Sequence, residues 1–135
     1  MLKGNIVEKE KIMIIDDSST IRRSAEIFLT PEGYQVIPVV DGFEGLVKVM
    51  EEKPDLVFID VVMPKIDGLE ACRIIRRNPQ FKNLPIIFLS SKDGEFDKAR
   101  GMMMGADDYL PKPFTKESII AVVKKYTANK KENAV

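Results

Sequence analysis

A chain of 135 residues, 44% hydrophobic and 31% charged, has the size and make-up of one globular domain around one core. Lys plus Arg and Asp plus Glu each total 21, so no net field draws the molecule to nucleic acid or to an anionic membrane, and no apolar run approaches the ~20 residues that span a bilayer. There is no histidine and a single cysteine, which excludes an internal disulfide and leaves any chemistry to carboxylates, hydroxyls and lysine.

The opening segment MLKGNIVEKEK lacks the apolar stretch and small-residue cleavage site of a secretory signal, so residues 1–10 read as an N-terminal extension and the protein is expected in the cytoplasm. The first apolar run, Ile12 to Ile15, ends in Asp16 and Asp17, and Ser18 or Ser19 is placed to cap a first helix. Pro31 and Gly33 break the chain before a second run, Gln35 to Val39; Phe43, Leu46, Val47 and Met50 then fall on one face of a second helix. After Lys53 and Pro54 comes Leu56 to Ile59, ending in Asp60. Leu69, Cys72 and Ile75 lie on the apolar stripe of a third helix, which gives Cys72 a packing role.

Asn78 and Pro79 precede Ile86 to Leu89, which ends in Ser90 and Ser91. Met102, Met103 and Met104 are consecutive and cannot all point inward from one helix, so at least one is exposed. Tyr109 and Leu110 form the last run, followed by Pro111, Lys112 and Pro113; Thr115 caps a final helix whose inner face is Ile119, Val122, Val123 and Tyr126. The polar ANKKENAV over 128–135 is expected to fray as a tail. The pattern is strand–helix repeated five times. Three of the strands are apolar throughout without alternation, which marks strands covered on both faces, and hence a doubly wound α/β domain with a parallel sheet.

In a parallel sheet all strand carboxyl ends lie on one edge, where open α/β sheets bind ligands. The three most apolar strands all end there in polar residues, and Lys112 follows the fifth. A strand-terminal Asp or Ser, taken singly, is most often a turn or cap residue; five such residues converging on one edge are hard to obtain from capping alone. Asp16, Asp17 and Asp60 crowded together repel one another unless a cation intervenes, and Mg²⁺ or Mn²⁺ suits one or two carboxylates plus a phosphate oxygen. Asp60 is then the candidate nucleophile for an acyl phosphate, with Lys112 and the Ser90 hydroxyl beside the transferred charge.

From about Lys11 to Tyr126 the chain resembles the receiver domains of two-component response regulators, carried by "IIDDSSTIRR", "FIDVVMPKIDG", "IIFLSS" and "YLPKPF". The resemblance implies a flavodoxin-like (βα)5 fold over residues 11–127 with strand order 2-1-3-4-5, and a cis bond between Lys112 and Pro113. It implies that Asp16 and Asp17 are the acidic pair, Asp60 the phosphoacceptor, Ser90 the switch hydroxyl, Tyr109 the switch aromatic and Lys112 the phosphate-binding lysine. The backbone carbonyl of Val62 becomes a metal ligand beside Asp16, Asp17 and Asp60. A separate histidine kinase is the implied phosphodonor, and a downstream protein is met through the fourth helix, fifth strand and fifth helix, roughly Glu95 to Tyr126. The protein is expected to be a monomer or a phosphorylation-dependent dimer, and a signalling protein that catalyses only its own phosphorylation and slow dephosphorylation.

Within the family, "SSKDGEFDKARGMMMGADDYL" is similar to stand-alone regulators of twitching motility and related type IV pilus chemosensory systems. Val62 and Lys92 stand where fast-cycling chemotaxis regulators hold an amide and an acid that position the hydrolytic water. Two other readings compete: a receiver cut from a transcription factor, and an enzyme on the same fold. A flavin carrier is disfavoured because Asp16 and Asp17 replace a phosphate-binding loop, and an aspartyl phosphatase because Val62 replaces the second aspartate of its nucleophile pair.

Overall fold

The structure is a computed structural model that describes residues 8–90 and 100–133, with 129–133 as backbone only. Five parallel strands, β1 (Lys11–Ile15), β2 (Gln35–Val39), β3 (Leu56–Asp60), β4 (Ile86–Ser90) and β5 (Asp108–Pro111), lie in the order β2-β1-β3-β4-β5. This is the expected doubly wound order, and it explains the sequence pattern. The interior strands β3 and β4 are buried at every position and β1 at all but Lys11, whereas the edge strands β2 and β5 are partly exposed.

Side chains alternate across the sheet and feed two separate cores. On one face Ile12, Ile14, Phe58, Ile87 and Leu89 pack with Ala25 and Leu29 of α1 (Ser19–Leu29) and with Ile119 and Val123 of the last helix, Lys116–Asn133. On the other face Met13, Ile15, Val57, Ile59 and Phe88 pack with Val49 of α2 (Gly42–Glu52) and with Leu69, Cys72 and Ile75 of α3 (Gly68–Arg77). A further helical stretch, described over 100–103 (α4), lies on this second face, since a Cβ added at Gly101 would meet the Phe88 ring. The last helix, now α5, is capped reciprocally: Ser118 N donates to Thr115 Oγ1 at 3.0 Å and Thr115 N to Ser118 Oγ at 2.9 Å.

Two expectations need correction. On α2 only Leu46 of the expected apolar face turns partly inward. Phe43, Val47 and Met50 are 56%, 55% and 52% exposed, and the buried positions are Gly42, Gly45 and Val49. The cause is backbone approach: a Cβ at Gly42 would collide with Ile66, and one at Gly45 with the end of Ile15, so the helix seats its smallest face against its neighbours. At the carboxyl end α5 continues to Asn133, and the tail does not begin at residue 128. Ala128, Lys130, Lys131 and Glu132 are strong helix formers, and propagation through them is favourable once the helix is nucleated. Among the described residues no helix is long and apolar enough to cross a membrane.

Candidate functional site

Strand register decides which side chains meet. Ile15 pairs with Val39 on one side and Ile59 on the other, Asp60 with Leu89 and Ser90 with Pro111, so the residues that end each strand collect at one edge. Asp16 leaves β1 with its N–H bonded to Val39 O at 3.1 Å. Its buried carboxylate accepts from Ser18 N at 2.8 Å through Oδ1 and from Lys112 Nζ at 3.2 Å through Oδ2. Asp60 closes β3, 4% exposed, with Oδ1 3.1 Å from Lys112 Nζ and 3.3 Å from the Val62 N–H that donates to it. Asp17 is exposed, and one carboxylate oxygen from each of Asp16, Asp17 and Asp60 lies within 4.8 Å of the others. Gly68 lets α3 begin hard against this strand end: a Cβ there would run into the Asp60 carbonyl, and the Gly68 N–H donates to Val61 O at 3.0 Å.

Lys112 reaches the cluster from beyond β5. Its N–H donates to Ser90 O at 2.6 Å, and the Lys112–Pro113 peptide is cis, as the resemblance implies. Ser90 is buried at the end of β4. Tyr109 lies within β5 opposite Phe88, half-buried against the core of the α2 and α3 face, with its N–H bonded to Asp108 Oδ1 at 2.8 Å. Val62, 75% exposed, stands at the mouth of the site. Lys92 and the beginning of the expected output face, from Glu95, lie outside the described residues. Within that face Met103 is 84% exposed, Met102 is also exposed and Met104 is half-buried against the core. The Cys72 thiol is buried, 3.5 Å from Met104 O, and burial pushes its pKa up to about 11, which leaves it an unreactive packing group.

Electrostatics follow from this crowding. Burial first, and then the Asp16 carboxylate, push Asp60 up to about 6 against the opposing pull of Lys112. Burial works against the Lys112 charge, but Asp16 and Asp60 outweigh it and raise the pKa, so the ammonium persists. Among the described residues Lys112 pairs with two of the three clustered carboxylates, Asp16 and Asp60. The donor set is entirely hard oxygen, and a divalent cation of the Mg²⁺ class fits it by charge and by ligand type. Sequence reasoning passed over Arg22, whose Nη1 donates to the Asp16 carbonyl at 2.7 Å. The available signal is its place one turn into α1, from which a long side chain reaches back over the helix N-terminus.

The chain is similar to known proteins of one family. Residues 12–124 match the model of the response regulator receiver domain. The chain is 49% identical over 114 residues to protein PilG of Pseudomonas aeruginosa, covering 84% of each. It superimposes on the chemotaxis response regulator CheY4 of Vibrio cholerae with a TM-score of 0.83 and 31% identity, covering 88% of this chain and 99% of that one. The receiver domain of the sensor histidine kinase PA1611 from Pseudomonas aeruginosa, solved with a magnesium ion coordinated in its active site cleft, superimposes with a TM-score of 0.81 and 26% identity over 88% of this chain and 98% of that one. Sequence and strand order thus agree, and the chain belongs to the response regulator receiver domain family, signalling proteins that take a phosphoryl group from histidine kinases.

Proposed function

We propose that Asp60 is the phosphoacceptor of a switch whose phosphorylation requires a divalent cation. The observation that carries this reading is the single cluster formed by Asp16, Asp17 and Asp60, with the Lys112 ammonium 3.1 Å from Asp60 Oδ1. A carboxylate oxygen of Asp60 attacks phosphorus; a P–O bond forms and the bond from phosphorus to the imidazole nitrogen of the kinase phosphohistidine breaks, its electron pair leaving with that nitrogen. Mg²⁺ or Mn²⁺, when bound, offsets the charge of the transferred group. Asp17, Asp60 and the Val62 carbonyl would hold the cation directly, and Asp16 through a water. Lys112 pairs with phosphoryl oxygen, and the Ser90 hydroxyl donates to it.

The signal then passes from Ser90 to Tyr109 and to the surface formed by α4, β5 and α5, where a downstream protein binds, in the cytoplasm and as monomer or phosphorylation-dependent dimer. Residues 11–127 suffice as the receiver unit. The pilus-linked assignment is supported by the resemblance carried by residues 90–110 and by 49% identity to protein PilG. Self-dephosphorylation is slow, because exposed Val62 offers no hydrogen bond to an attacking water. Intact-mass measurement after incubation with acetyl phosphate and Mg²⁺ tests the reading. Wild type gains one phosphoryl group, whereas Asp60→Asn and wild type in EDTA do not; modification of Asp60→Asn to the wild-type extent would overturn it.

A further inference from the structure

Of the three clustered carboxylates, only Asp17 is exposed, and the structure gives its side chain no hydrogen bond or ion pair among the described residues. Something other than its own contacts must aim it. The peptide that joins Asp16 to Asp17 is held at its oxygen by Arg22, whose Nη1 donates to it at 2.7 Å. The rest of Asp16 is held independently: its N–H by Val39 O, Oδ1 by Ser18 N and Oδ2 by Lys112. With Asp16 fixed from behind, rotation of the Asp16–Asp17 peptide plane is a motion that swings Asp17 relative to Asp60. The guanidinium of Arg22, a half-buried residue, opposes that rotation through its bond to the Asp16 carbonyl. The backbone from which it reaches is anchored, since the Arg22 N–H closes the first turn of α1 on Ser18 O at 3.1 Å.

We infer that Arg22 is a positioning residue for the cation site: through the Asp16 carbonyl it holds the Asp17 carboxylate where a divalent ion shared with Asp60 requires it. The inference rests on the metal-site reading above. Position and charge make opposite predictions here, which makes the residue informative. A cation next to an acidic cluster, acting by charge alone, opposes metal binding, so its removal would tighten Mg²⁺ binding. A residue that orients a ligand does the reverse, and loss of such outer contacts weakens metal affinity about tenfold or more.

The experiment is isothermal titration of MgCl2 into wild type, Arg22→Met and Asp17→Ala at a temperature where near-UV circular dichroism shows all three folded, with melting temperatures recorded in EDTA. Arg22→Met keeps the aliphatic stem and removes the donor; Arg22→Gln takes its place if the methionine variant does not fold. The expected result is an Mg²⁺ dissociation constant about tenfold higher in the Arg22 variant than in wild type. An Arg22 variant that binds Mg²⁺ as tightly as wild type, or more tightly, while Asp17→Ala binds weakly, overturns the positioning role and leaves the metal site standing; a lowered melting temperature with unchanged affinity is that same outcome. If Asp17→Ala also binds like wild type, or wild type does not bind, the metal-site reading falls and the role of Arg22 falls with it.

Discussion

Asp60 is held in a form that opposes its own charge. Its carboxyl titrates at about 6 in the folded chain against an ordinary value of 3.8, so its contribution to stability is present below about pH 4 and is lost as pH rises through 6. In metal-free buffer Asp60→Asn is therefore expected to stabilise the protein by about 2 kcal/mol at pH 7.5, with the gain shrinking as pH approaches 4. Urea unfolding at the two pH values checks this, and a gain independent of pH would show that the crowding is not electrostatic. Val62 and Lys92 set a second expectation: Val62→Asn with Lys92→Glu speeds loss of phosphate from phospho-Asp60 by about tenfold to a hundredfold at equal Mg²⁺. Phosphate release after donor removal measures it, and equal rates would free both positions of that role. The acidic residues were readable in the sequence because each ends an apolar run. Arg22 was not, because its partner is a backbone carbonyl, and a carbonyl leaves no mark in the residue pattern.

Elements show where pattern reading holds and where it stops. The interior strands announced themselves as unbroken apolar runs, and the meeting of their polar endings on one edge followed from parallel topology, whereas the strand order came from the family resemblance. The second helix did not, because hydrophobic periodicity identifies the most apolar face, whereas α2 packs by its smallest one. Gly42→Ala gains helix propensity of up to about 1 kcal/mol, yet the new methyl meets the Ile66 backbone oxygen, so a net loss of about 1–3 kcal/mol is expected. Val47→Gln on the exposed stripe is expected to change stability by less than about 0.5 kcal/mol. Chemical denaturation of the two variants tests the assignment, which fails if their order is reversed. Arg76 is the other element-scale tie: from α3 it donates to Phe81 O, Leu84 O and Gly105 O at 2.9, 2.6 and 2.8 Å and pairs with Asp107 at 2.8 Å. Asp107 Oδ2 in turn accepts from Ile86 N at 2.9 Å, so one guanidinium braces the segments that enter β4 and β5.

Over the whole molecule, ligand binding and stability are linked by mass action. If the acidic cluster binds Mg²⁺ in the folded state alone, saturation at a hundred times the dissociation constant adds about 2.7 kcal/mol. The melting temperature is then expected to climb with Mg²⁺ in wild type and to stay flat in Asp17→Ala; a parallel rise in both would assign the effect to ionic strength instead. Strand order also decides how the molecule presents its margins. The sheet is open, and its outer strands β2 and β5 each carry a proline, Pro38 and Pro111. A proline has no N–H to give, so neither margin offers an incoming chain an uninterrupted row of donors. Both open margins of the sheet are thereby guarded against polymerisation through the backbone.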